Sequence, residues 1–87
     1  MKLYRICTEA KNVKAVAELV SQRFKEFSLW QGIGYWQGKS EKSLCIEIFD
    51  PTESCAGTVE QLALEIRVLN EQDCVLVQEI ECKGRSI

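Results

Sequence analysis

The hydrophobic period of this chain switches between two and 3.6, and each switch marks an element. LYRIC, at 3–7, is rich in strand formers. Leu3, Arg5 and Cys7 share one face, while Tyr4, Ile6 and Thr8 share the other. Apolar groups on both faces suit a central strand covered on both sides. Val13, Val16, Ala17, Val20 and Phe24 then recur at helical spacing among lysines, Glu18 and Gln22. Asn12 is the predicted N-cap of this first helix, and Lys25 near its end complements the helix dipole.

From Phe27 the period returns to two. Phe27, Leu29, Gln31, Ile33 and Tyr35 face one way, and Ser28, Trp30, Gly32, Gly34 and Trp36 the other. QGKSEK, at 37–42, reads as a turn. SLCIEIFD, at 43–50, is the clearest strand, with Leu44, Ile46 and Ile48 toward the core and Cys45, Glu47 and Phe49 away from it. Asp50-Pro51 ends it. Thr58, with Gln61 three residues on, predicts a capping box for a second helix. That helix carries Val59, Leu62, Ala63, Ile66 and Leu69 on one stripe and stops at Asn70. CVLVQEIEC, at 74–82, is the last strand, and KGRSI is a frayed tail.

The order is β-α-β-β-α-β. Right-handed crossovers place both helices on one face of a four-stranded antiparallel sheet of order 4-1-3-2. This is a ferredoxin-like α+β sandwich, and residues 1–87 form one domain. The 46% apolar content suffices for a packed core and excludes disorder.

A sheet with helices on one side leaves its other face open. Strand phase assigns Trp30, Trp36, Cys45, Glu47 and Phe49 to that face. With Tyr4 and Ile6 toward the helices, Leu3, Arg5 and Cys7 join them, and Arg5 is placed to pair with Glu47. With Leu76 and Ile80 inward, Val75, Val77, Glu79 and Glu81 also point outward. A face so apolar predicts self-association, as a dimer or a trimer. Trp30, Trp36, Cys45, Glu47 and Phe49 are the predicted interface.

Charge and chemistry narrow the options. Eleven basic and 13 acidic residues give a net charge of −2, which supplies no basic stripe for nucleic acid and no attraction to an anionic membrane. No apolar run approaches a transmembrane length, and MKLYRICTEAKN lacks the apolar stretch of a signal peptide. The reading is a cytoplasmic protein. Five cysteines at wide spacing, without histidine, read as buried thiols in a reducing compartment rather than a metal site. The missing histidine also removes the usual acid–base catalyst. Glu47, Glu79 and Cys45 remain as the residues of an alternative in which the open face is a small active site. Trp30, Tyr35 and Trp36 would have to serve a third alternative, base stacking on nucleic acid, against acidic neighbours.

Gly32, Gly34 and Gly38 with Lys39 can be read in two ways. Glycines let backbone amides approach an anion, or they relieve a sharply twisted hairpin. The residues also resemble a known group. Met1-Lys2-Leu3, Gly32-x-Gly34 with Gln37-Gly38 beyond, IEI, and the late VLVQEIE strand look like a shortened PII protein of the PII/CutA superfamily. That resemblance implies a compact oligomer binding small effectors at clefts between subunits. It places Gly32, Gly34, Gln37 and Gly38 where the family's second strand leads into its long effector loop; with Lys39, which could add charge, these are the predicted ligand-binding residues. The family's long effector loop is absent here, and NEQDC replaces its second nucleotide-binding segment. Together the residues predict a small non-enzymatic domain, without cofactor or metal, that self-associates and binds a small ligand or a protein partner.

Overall fold

The computed structural model describes residues 1–87. Its elements are β1 (Lys2–Glu9), α1 (Val13–Ser21), β2 (Ser28–Trp36), β3 (Lys39–Asp50), α2 (Ala56–Leu69) and β4 (Leu76–Glu81). The four strands form one sheet in the order β2-β3-β1-β4, antiparallel at every pairing. This is the predicted ferredoxin-like topology. β1 and β2 both run opposite to β3, which lies between them, so α1 spans a split β-α-β unit.

Directly opposed residues of antiparallel strands share a sheet face, so register decides which side chains meet. Leu29, Ile46, Ile6 and Val77 form one row across the sheet on the helix side. Ile6, Leu44, Ile46 and Ile48 are fully buried there against Val16 and Val20 of α1 and Val59, Leu62 and Ile66 of α2. Each such side chain contributes about 1.5–3 kcal/mol by leaving water. This cluster fixes the two helices on one face.

The helix boundaries depart from the sequence reading. α1 ends at Ser21, so Lys25 lies beyond the helix and does not complement its dipole; Phe24 still packs on the core. Asn12 is the N-cap, but with φ 50° and no capping hydrogen bond from its side chain, which turns instead toward Asn70. α2 starts at Ala56 with Cys55 at its N-cap, placing Thr58 inside the first turn. The cause lies upstream. The buried Asp50 carboxylate accepts hydrogen bonds from the Thr52 N–H at 3.1 Å, the Thr52 hydroxyl at 2.8 Å and the Cys55 N–H at 2.9 Å. It thereby organises the loop and starts the helix early. These hydrogen bonds, from the Cys55 thiol and N–H first and then Thr52, hold the Asp50 carboxyl far below its ordinary range.

The turn after β2 is shorter than QGKSEK suggests. Only Gln37 and Gly38 form it, with φ 50° and 77°, the left-handed pair of a two-residue hairpin turn. Lys39–Lys42 therefore belong to β3 and pair with Trp36–Ile33. β1 pairs with β3 only from Ser43 onward. Apart from one hydrogen bond from the Ala10 N–H to the Lys42 carbonyl, the β2–β3 hairpin continues past the sheet as a two-stranded ribbon.

The last strand corrects a phase. Leu76, Gln78 and Ile80 oppose Cys7, Arg5 and Leu3 and so lie on the open face. Val77 and Glu79 oppose Ile6 and Tyr4 and lie on the helix side. Glu79 pairs with Lys2, whose ammonium also reaches Glu81 at 3.5 Å. Glu79 is thus separated by the sheet from Cys45 and Glu47, and those three residues do not form one site.

Candidate functional site

The open face is built in rows. One row runs Trp30, Cys45, Cys7, Leu76; the next runs Ser28, Glu47, Arg5, Gln78; and a third joins Phe49, Leu3 and Ile80. Two apolar rows therefore flank a polar one. At its centre Arg5 Nη2 donates to Glu47 Oε2 at 2.9 Å and Arg5 Nε to the same oxygen at 3.2 Å. The Glu47 carboxylate raises the Arg5 pKa through these bonds. Neighbouring large side chains remain in water: Trp30 is 48% exposed, Phe49 49% and Leu76 55%. No helix or loop of the chain covers them. Of the sequence-predicted interface residues, Trp30, Cys45, Glu47 and Phe49 come together here; Trp36 lies on the same face, on the ribbon.

Cys7 and Cys45 are cross-strand partners in the first row, and both are free, as are Cys55, Cys74 and Cys82. Burial, followed by the neighbouring Cys7 and Glu47, pushes the Cys45 thiol upward, away from the thiolate a nucleophile needs. No three of the cysteines, aspartates and glutamates gather as metal ligands.

At one end the open face deepens into a groove of about 760 Å³. The ribbon supplies Gly34, Tyr35 and Trp36 on one side, and the α2–β4 turn supplies Glu71, Gln72, Asp73 and Cys74 on the other. Its floor is the end of the sheet, with Cys7, Ser43 and Leu76. Such a volume matches ordinary small-molecule clefts. The far wall is tied down by buried polar groups. Asn70 donates to Gln72 Oε1 at 3.0 Å, Thr8 bonds the same oxygen, and Gln72 Nε2 donates to the Cys74 carbonyl at 3.3 Å. Asn12 donates to Asn70 Oδ1 at 3.1 Å, linking this wall to the start of α1.

Of the sequence-predicted ligand residues, Gly34 lines the groove. Gly32 stands across from Ser43 within the paired hairpin, Gln37 and Gly38 form its turn, and Lys39 opposes Trp36. Neither Gly32 nor Gly34 precedes a helix, so they do not make a phosphate loop of the strand–glycine–helix type. Sequence reasoning missed Thr8, Asn70, Glu71, Gln72 and Asp73. The signal available was NEQD, a polar stretch held between a helix and a strand.

No protein-family model matches the chain, and no curated protein matches it. Solved structures do. A DUF3240 family protein from Shewanella baltica superposes with a TM-score of 0.71 at 11% identity, covering 99% of this chain and 93% of its own. A nitrogen regulatory PII-like protein from Thiomonas intermedia, CPII, was solved with ADP, AMP and bicarbonate; its TM-score is 0.65 at 18% identity, over 99% of this chain and 94% of its own. A phage SAM lyase in complex with S-methyl-5'-thioadenosine has a TM-score of 0.63 at 21% identity, covering 92% of this chain and 80% of its own. CutA proteins share the fold as well. At these identities the likeness establishes the fold: this chain has the PII/CutA-like ferredoxin-like fold.

Proposed function

We propose that this chain is a small self-associating domain that binds a small molecule in the groove at the end of its open sheet face. The observation that carries the reading is the open face itself. Two apolar rows, with Trp30, Phe49 and Leu76 half exposed, flank a central Arg5–Glu47 pair, and nothing in the chain covers them. A single copy rarely leaves such a patch in water, and a second copy is the covering that every copy has at hand. Trp30, Trp36, Cys45, Glu47 and Phe49 are then interface residues. The assembly is a dimer or a trimer in a reducing compartment such as the cytoplasm, where five free thiols persist.

The groove opens on this same face, so association would complete its outer wall. Gly34 lines the ribbon side of that site, and Gly32, Gln37, Gly38 and Lys39 on the same ribbon are the residues proposed to extend it in the assembly. Two structures of the same fold hold adenosine-bearing molecules, ADP and AMP in one and S-methyl-5'-thioadenosine in the other. Exposed Trp36, on the open side of the ribbon, offers a flat face for such a base. Light scattering on the intact protein at micromolar concentration tests the association: a mass of two or three chains is expected, and a strict monomer overturns it.

A second reading makes the groove catalytic. Two observations favour it: carboxylates of Glu9, Glu41, Glu71 and Asp73 surround the groove, and a SAM lyase shares the fold. Incubation with S-adenosylmethionine, followed by chromatography, tests it; unchanged S-adenosylmethionine after prolonged incubation rejects it.

A further inference from the structure

The charges around the groove restrict what it can hold. Glu9, Glu41, Glu71 and Asp73 supply four carboxylates, against the ammonium groups of Lys11 and Lys42. Lys11 is already committed to Glu9 at 2.9 Å, and that contact raises its pKa. Lys42 forms no ion pair, and neither do Glu41, Glu71 and Asp73. A phosphate group in the groove would therefore meet three free carboxylates and a single free ammonium. Like charges repel, most of all at low salt, and the groove lining supplies no arginine fork to offset them.

A cation meets the reverse situation. Trp36 stands 69% exposed on the open side of the ribbon, with its ring face available to a positive group. Glu71 and Asp73 stand on the opposite wall. Their turn is held by the Thr8–Asn70–Gln72 hydrogen bonds, and Glu71 itself has φ 54°, so the wall is shaped before any ligand arrives.

We infer that the groove selects a small aromatic-ring molecule bearing a positive charge, tolerates an uncharged one, and rejects a phosphate-bearing one. This rests on the reading that the groove is a small-molecule site. Four molecules that share adenosine and differ in charge separate the two claims: S-adenosylmethionine, S-methyl-5'-thioadenosine, AMP and ADP. Calorimetric titration of the wild-type protein in low salt is expected to rank the cation first and the neutral thioether second. ADP is expected last, weaker than the cation by at least roughly tenfold. Glu71→Gln and Asp73→Asn should each weaken the cation by roughly fivefold and the thioether by less than about twofold, with circular dichroism certifying that the variants are folded; equal losses for both ligands would overturn the charge selection. ADP or AMP binding tightest would overturn the charge selection and leave the groove as a binding site. No heat with any of the four would reject the groove as an adenosine site and this inference with it.

Discussion

The two faces of one sheet offer a controlled comparison. Both are crossed by apolar rows of the same strands, yet one row set is dry and the other wet. On the helix side Ile6, Leu44, Ile46 and Ile48 lose all contact with water beneath α1 and α2. On the open side Trp30, Phe49 and Leu76 keep about half of theirs, and a charged pair sits in the middle. The same pleat thus carries a folding surface and the surface proposed to meet another copy. The charges differ too: the helix side holds one buried carboxylate, Asp50, satisfied by hydrogen bonds, while the open side holds an ion pair of the kind that interfaces use to set register and specificity.

The largest test of this division is to delete volume from each face in turn. Ile46→Ala removes a fully buried side chain and should cost about 2–5 kcal/mol in urea-induced unfolding. Trp30→Ala, on the opposite face one residue from Ile46's partner Leu29, should change the unfolding of an isolated copy little. It should instead weaken association by about 2 kcal/mol, roughly thirtyfold, in sedimentation or light scattering. If both variants moved only the unfolding curve, the open face would be no interface.

The polar groups of the two faces invite a smaller comparison. Arg5→Ala leaves the mostly buried Glu47 carboxylate unpaired on the open face. Association should weaken by roughly tenfold and lose part of its salt dependence, measurable by light scattering across a sodium chloride series. Asp50, on the helix side, acts on folding alone. Its folded pKa is depressed, so its contribution is complete above the ordinary aspartate range near about 4 and fades as pH falls through the folded value. Thermal unfolding of the wild type should therefore fall steadily below about pH 4, and Asp50→Asn should start lower and fall less steeply.

The sequence showed one of these faces far better than the other. β3 was legible because apolar and polar residues alternate strictly from Leu44 to Ile48, and the Arg5–Glu47 pair followed from that phase. β4 was not, because Leu76, Val77 and Ile80 put apolar groups on both of its faces; only pairing with β1 decides which side is which. α2 began early because the Asp50 carboxylate, rather than the Thr58–Gln61 pattern, organises its entry. The groove was hidden for a different reason. Its far wall depends on Thr8 meeting Asn70, 62 positions apart, a contact that no local pattern announces. QGKSEK looks like a turn throughout for want of the same information: nothing local says that Lys39–Lys42 continue a strand.

The ribbon is where the comparison between faces breaks down, since beyond Gly32 neither side has a helix above it. Ile33 and Tyr35 carry the helix-side phase and yet stand in water, as Trp36 does on the other side. What keeps the ribbon paired is its turn, where Gln37 and Gly38 both adopt positive φ. Glycine takes this conformation without strain, while glutamine does so at a cost that asparagine largely avoids. Gln37→Asn should therefore stabilise the ribbon by a few tenths of a kcal/mol, raising Tm by about 1–3 °C. Because the ribbon forms one wall of the groove, the same change should slightly tighten any ligand held there by reducing the ordering left to binding. A rise in Tm with unchanged affinity would mean that the ribbon is already ordered in the free protein.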